Sequence, residues 1–110
     1  MVKDDKIFIV HILESIKLIE QYTKKVNWEK FEYAWPIVDA VVRRIEIIGE
    51  AANKISKEFK AKHKNIPWID IVGMRNFLIH EYFDVDEKEV WNTVKNDLPI
   101  LKKKLKGLLK

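Results

Sequence analysis

Hydrophobic residues recur at steps of three and four positions in two long stretches, which predicts two amphipathic helices. The first helix is predicted from Asp4 or Asp5 to about Lys24, and the second opens with Pro36 and runs past Gly49 to about Phe59. The two apolar stripes comprise Ile9, Ile12, Ile16, Ile19, Ile37, Val41, Ile45, Ile48, Ala52 and Ile55. Between them, Asn27 can cap a short helical turn over residues 28–32.

A further amphipathic stretch begins at Asp86, whose carboxylate is placed to cap a helix, with Glu89 completing a capping box. Its buried stripe comprises Trp91, Val94, Leu98, Leu101, Leu105 and Leu108. Pro99 lies inside this stretch and is expected to kink or break the helix. No stretch alternates between apolar and polar residues as a strand would. The sequence therefore predicts an all-α protein, an antiparallel bundle of four or five helices.

The stretch from Trp68 to Tyr82 has a different pattern, because it is apolar on nearly every side. It predicts a buried helix, opened by Pro67 at its first position. This apolar stretch nevertheless contains the polar residues Arg75, Asn76, His80 and Tyr82. A buried guanidinium needs an anionic partner, a bound anion or water. Glu50, on the second helix, could be that partner, although a solvent-facing glutamate is an equal alternative.

Helix geometry limits how Arg75 and His80 could act together. At about 100° per residue, positions 75 and 82 lie about 20° apart, whereas positions 75 and 80 lie about 140° apart. In one straight helix, Arg75 and His80 cannot close on the same phosphate. Either the helix ends or loosens near His80, or the histidine comes from another chain. Both alternatives remain open at this point.

Composition excludes several classes of protein. The 110 residues, 47% of them hydrophobic, are enough for a single globular domain over residues 1–110. There is no cysteine, no apolar run long enough for a membrane span and no signal-peptide core, so a cytoplasmic protein is expected. A phosphate-binding glycine loop and a carboxylate array for magnesium are also absent, and the three histidines are widely separated. We therefore expect no metal and no cofactor.

The net charge of +4 is unevenly distributed. Residues 54–64 contain five lysines and one acid, and residues 102–110 contain five lysines and no acid. Residues 81–89 contain five acids and one lysine. The two basic segments could attract a phosphate backbone. They could equally be solvated helix ends, where lysines favour the negative end of the helix dipole.

Arg75 and His80 are the candidates for catalysis. An arginine fork suits a phosphate or a phosphorane-like transition state, and a histidine suits proton transfer near neutral pH. Together they could cleave RNA without a metal ion, with the RNA 2′-hydroxyl as nucleophile. The alternative is that both residues only tie helices together.

The segment from Arg75 to Tyr82 resembles the R-x-x-x-x-H-x-Y motif of HepT-like toxins, a branch of the HEPN superfamily. Similar landmarks occur in the family's order: Ile48-Gly49-Glu50-Ala51, Pro67-Trp68, Gly73-Met74-Arg75-Asn76, Val90-Trp91 and Asp97-Leu98-Pro99. The resemblance covers about residues 39–101 and implies one HepT-like domain over residues 1–110.

The resemblance implies a homodimeric endoribonuclease whose two motifs meet in a cleft between the protomers. In that arrangement His80 is the acid–base residue, Arg75 holds the scissile phosphate, and Asn76 and Glu50 support them. Tyr82 corresponds to the tyrosine that accepts AMP groups from a partner nucleotidyltransferase, an MntA-like antitoxin. The resemblance thus implies the toxin of a type VII toxin–antitoxin pair with RNA as substrate. The alternative function is a non-catalytic subunit that binds nucleotide or RNA for such a nucleotidyltransferase.

Overall fold

The computed structural model describes residues 2–80 and 86–109, with the side chains of residues 75–80 excepted. The helices are α1 (Lys3–Thr23), α2 (Trp28–Phe31), α3 (Trp35–Lys54), α4 (Lys57–Lys62), α5 (Trp68–His80), α6 (Glu87–Asn92), a π-helical turn (Thr93–Asp97) and α7 (Leu98–Leu108). No strand occurs in these described ranges, so the predicted all-α bundle is confirmed. No helix within them is both long and apolar enough to cross a membrane.

Helix α3 is the centre of the bundle. It packs against α1 on one side and against α5 on the other, and α7 packs back on α1. The apolar stripes predicted for the first two helices form the core, and Ile9, Ile12, Val41, Ile45 and Ile48 are all fully buried. Gly49 is buried as well, next to the small buried residues Ala51 and Ala52. The arrangement leaves α5 supported mainly by α3, which therefore positions the candidate catalytic motif.

The prediction that the second helix continues to about Phe59 is wrong. Helix α3 ends at Lys54, and Ile55 and Ser56 adopt extended backbone conformations before α4 begins. The Ser56 hydroxyl accepts a hydrogen bond from the backbone N–H of Phe59 at 3.2 Å and so caps α4. Asp5 of α1, only 3% exposed, holds this break by accepting hydrogen bonds from Ser56 N at 2.8 Å and Ser56 Oγ at 2.7 Å. Residues 57–62 of the basic segment thus form a short helix of their own.

The last amphipathic stretch begins as predicted, because Asp86 accepts hydrogen bonds from the backbone N–H groups of Lys88 and Glu89. Pro99 does not break it. The helical segments follow one another without interruption, and the irregularity is the π-helical turn directly before α7. There the N–H of Leu98 donates to the carbonyl of Thr93, five residues back. A π-turn just before proline accommodates a residue that lacks an N–H and crowds the preceding carbonyls.

The short helix α2 closes one end of the bundle with aromatic side chains. Asn27 caps it as predicted, since its Oδ1 accepts from Lys30 N at 3.0 Å. Phe31 is fully buried, and its ring lies 4.9 Å from the ring of Trp91 on α6. Trp28 lies 6.4 Å from the same ring. This aromatic cluster fixes α6 against α2 and α3.

Candidate active site

The start of α5 is held by contacts with the segment before it. The indole N–H of Trp68 donates to the carbonyl of His63 at 3.0 Å, and the Trp68 ring meets Phe59 edge-on at 6.3 Å. The carbonyl of Pro67 accepts from Ile71 N at 3.0 Å. The helix therefore begins at Trp68, and Pro67 directly precedes it rather than occupying its first position as predicted. These contacts set the rotation of α5 and hence the placement of every position along it.

Helix α5 brings Arg75, Asn76 and His80 onto one element, and it is α-helical from Trp68 through His80. The helix is therefore regular between Arg75 and His80, and His80 is its last described residue, so both alternatives, a helix that ends near His80 and a histidine from another chain, stay predictions. At about 100° and 1.5 Å per residue, positions 75 and 80 are separated by about 140° around the axis and about 7.5 Å along it. Tyr82 lies outside the described residues. For Arg75, Asn76 and His80 the structure describes the backbone only.

The prediction that this helix is buried on every side is wrong for its first two turns. Trp68 and Ile71 are buried, at 7% and 1% exposure, on a helix that packs against α3, and the Trp68 ring also meets Phe59 of α4. Ile69, by contrast, is 87% exposed, and Val72 and Met74 are only partly covered. A helix that is apolar all round but covered on one side within a single chain has an unpartnered apolar surface.

Glu50 lies exposed on α3, one turn before that helix ends. Its exposed position is compatible with the solvent-facing alternative. Its pairing with Arg75 stays a prediction, because the Arg75 side chain lies outside the description.

A groove of about 450 Å³ runs between α5 and the last helical stretch. Its apolar lining includes Ile71, Met74 and Leu101, and three carboxylates stand on it, those of Asp70, Glu89 and Asp97. Three acids make this groove unsuitable for a phosphate. Sequence reasoning missed it, since the three acids are far apart in the chain and only the packing of α5 brings them together.

The histidines outside the motif do not form a site. His11 is exposed on α1, with its ring 6.5 Å from Phe8, and His63 packs against Phe59 at 4.4 Å. Within the described part of the chain, no group of three or more histidine, cysteine, aspartate or glutamate side chains is arranged to hold a metal ion.

The protein is an all-α bundle, and its helix α5 carries an arginine and a histidine five positions apart. A family profile described as ribonuclease HepT-like matches residues 12–108. The chain therefore belongs to the ribonuclease HepT-like family, which classes it as a ribonuclease.

Relatives agree with this assignment. The chain is 43% identical over 110 residues to a protein of Thermococcus cleftensis named "Probable ribonuclease HepT", with all of both chains covered. It is 42% identical over 103 residues to a "Putative RNase" of Methanocaldococcus jannaschii, covering 94% of each chain.

A second M. jannaschii protein, 49% identical over 105 residues, is named "Gamma-glutamylcyclotransferase and putative RNase". The match covers 96% of the present chain but only 47% of that relative. The present chain thus spans about half the length of this relative. No solved structure matches the chain.

Proposed function

We propose that this protein is an endoribonuclease toxin that cleaves RNA in a cleft between two copies of the chain, without a metal ion. The observation that carries the proposal is the regular helix through Arg75 and His80. Arg75 and His80 of one helix point about 140° apart. An arginine and a histidine can therefore reach the same phosphate when Arg75 comes from one chain and His80 from the other. A twofold contact between protomers forms two such sites, each with Arg75 from one chain and His80 from its partner.

The chemistry uses the RNA's own 2′-hydroxyl. One His80 takes the proton of the 2′-hydroxyl as its oxygen attacks the adjacent phosphorus. The bond from phosphorus to the 5′-oxygen then breaks, and the same His80, now protonated, gives its proton to that oxygen, which leaves a 2′,3′-cyclic phosphate and a 5′-hydroxyl. Arg75 neutralises the charge that develops on the phosphate oxygens, and Asn76 orients its neighbours. Glu50 is assigned a supporting role.

The exposure of α5 supports a contact between protomers. Ile69 is 87% exposed on a helix whose sequence is apolar on nearly every side. A second copy that covers this surface would give α5 the burial that its composition favours. Homodimerisation predicts that the solution mass at micromolar concentration is that of two chains.

Regulation is proposed at Tyr82. A cognate MntA-like nucleotidyltransferase would transfer AMP from a nucleoside triphosphate to the phenol oxygen, with release of pyrophosphate. The added phosphates would fill a cleft that binds RNA phosphate and repel the substrate. Intact mass measured with and without the nucleotidyltransferase tests this directly. A gain of AMP masses that persists in Tyr33→Phe, an exposed control tyrosine, and vanishes in Tyr82→Phe is the expected result.

Catalysis is tested by His80→Ala against His11→Ala, which alters an exposed histidine on α1. Loss of general acid–base catalysis lowers the cleavage rate by roughly 10²–10⁴-fold, whereas RNA binding persists. His11→Ala should cleave at the normal rate. If neither wild type nor variants cleave RNA but all bind it, the alternative function is favoured, a non-catalytic nucleotide- or RNA-binding subunit of the nucleotidyltransferase.

A further inference from the structure

Two lysine-rich segments that are far apart in the sequence form one surface. The ammonium group of Lys104, on α7, donates to the carbonyl of Asn65 at 2.8 Å, so α7 lies against the link that follows α4. Lys6 and Lys62 line a shared cavity of about 600 Å³. Lys60 and Lys64 line a shallower neighbouring one of about 410 Å³, which Ile69 also lines, so these two lysines lie at the edge of the proposed contact between protomers. We call this surface the basic end, comprising Lys6, Lys60, Lys62, Lys64 and Lys104.

Four of the five lysines of the basic end come from two segments that together carry more positive charge than the whole chain. Residues 54–64 and 102–110 contain ten lysines and one acid, a net charge of +9. Because the whole chain carries +4, the other 90 residues carry −5. Residues 81–89, directly after α5, carry −4. A polyanion is therefore attracted to the two lysine-rich segments and repelled by residues 81–89, whereas the rest of the chain is close to neutral.

The acids close to the basic end do not cancel it. Asp5 is buried and occupied by two hydrogen bonds from Ser56. Glu58 and Asp70 are single exposed acids at the margins of the two cavities. Burial lowers the pKa of Lys60, and the charge of Asp5 raises it in part. Lys6, Lys62 and Lys64 are exposed and therefore accessible to an external anion.

Other lysines are less available. Lys102 on α7 forms an ion pair with Glu20 at 2.9 Å and is therefore not counted in the basic end. Lys88 and Lys95 lie over tryptophan rings, at 4.3 and 4.7 Å from the ring centroids of Trp28 and Trp91. These three lysines thus already have partners in the described part of the chain.

The basic end is joined to the motif by α5. The helix begins beside Lys60 and Lys64, at Trp68, and reaches His80 after twelve residues. At 1.5 Å per residue the two ends are about 18 Å apart. With a rise of about 3.4 Å per nucleotide along the axis of a stacked strand, this distance corresponds to about five nucleotides.

We propose that the basic end binds the phosphate backbone of the RNA substrate about five nucleotides or more from the scissile bond. This inference rests on the proposed ribonuclease function and adds a binding surface to it. It explains how an enzyme whose motif is followed by an acidic segment can hold a polyanion: affinity is supplied at one end of α5 and chemistry at the other.

The experiment compares two double variants that change the net charge equally. Lys62→Gln/Lys64→Gln removes two exposed lysines of the basic end, and Lys17→Gln/Lys30→Gln removes two exposed lysines of α1 and α2. Both are built in the His80→Ala background to prevent cleavage. Binding of a 20-nucleotide single-stranded RNA is measured by fluorescence anisotropy between 50 and 400 mM salt, and circular dichroism checks the fold.

If each lysine neutralises one phosphate, the slope of log K against log salt falls by about 1.4 in the basic-end variant. The affinity then drops about 60-fold at 50 mM salt and about tenfold at 200 mM. The control variant should keep the parental slope.

Equal slopes in the two variants would overturn the inference while leaving the proposed function intact, provided that the unmutated enzyme cleaves RNA. If the basic-end variant loses binding of the nucleotidyltransferase but not of RNA, the surface serves a protein partner and the inference is wrong. Absence of both RNA binding and cleavage by the parent protein would reject the proposed function itself.

Discussion

Mixing two inactive variants should restore activity if the site is shared between protomers. Arg75→Ala and His80→Ala each disable every site in their own homodimer. In a mixed dimer, one site contains both altered residues, whereas the other combines an intact Arg75 with an intact His80 from the partner chain. Random assembly of equal amounts makes half of the dimers mixed, so about 25% of the wild-type activity should return. If the two residues acted within one chain, nothing would return.

The reciprocal mixture gives an independent control. Wild type is combined with the double variant Arg75→Ala/His80→Ala in equal amounts. Sites shared between chains leave activity only in wild-type homodimers, about 25% of the value for wild type alone, whereas sites within one chain leave about 50%. Native mass spectrometry establishes the fraction of mixed dimers, and cleavage of a labelled RNA gives the rate. No recovery in the first mixture together with 50% in the second would refute the composite site.

Three further predictions concern stability, measured by denaturant unfolding. Asp5→Ala should lower the free energy of unfolding by about 1–3 kcal/mol, because it leaves the partly buried N–H of Ser56 without its acceptor. A double-mutant cycle with Ser56→Ala should show strong coupling between the two residues, and additive effects would contradict this prediction. Phe31→Ala should cost about 3–5 kcal/mol, since it empties a fully buried site against Trp91. Gly107→Ala should stabilise by about 0.4–1 kcal/mol, because the added Cβ meets no described atom within 4 Å; a loss of stability would show that this assignment is wrong.

Local patterns predicted the helices well and their ends less well. The stripe through Ile9, Ile12 and Ile16 is buried as expected, because apolar periodicity reports the face that packs. The end of α3 was missed since it depends on Asp5, which lies 51 residues from Ser56 in the chain. Rules that consider only neighbouring residues cannot predict a contact between positions so far apart. Ser56 alone was a usable signal, as serine is a favoured N-cap residue.

Pro99 shows a second limit. Proline rules predict a kink or a break, and both follow from the missing N–H and the crowded carbonyls. The break does not occur, because the chain widens one turn into a π-helix before Pro99 and continues to Leu108. The choice depends on packing, since Val94, Leu98 and Leu101 on both sides of the irregular turn are all buried. Keeping these residues in the core favours a distorted helix over a broken one.

For the candidate site, the sequence could place Arg75, Asn76 and His80 on one helix, and that placement is confirmed. It could not show which parts of α5 are covered. An apolar pattern indicates burial in the functional assembly, whereas exposure in one chain is determined only by that chain's own packing. Ile69 is predicted to be buried by the apolar pattern but is 87% exposed in the single chain, and this disagreement is informative. It marks the side of α5 on which a second copy would have to pack, and the mixing experiment tests whether that copy also supplies a catalytic residue.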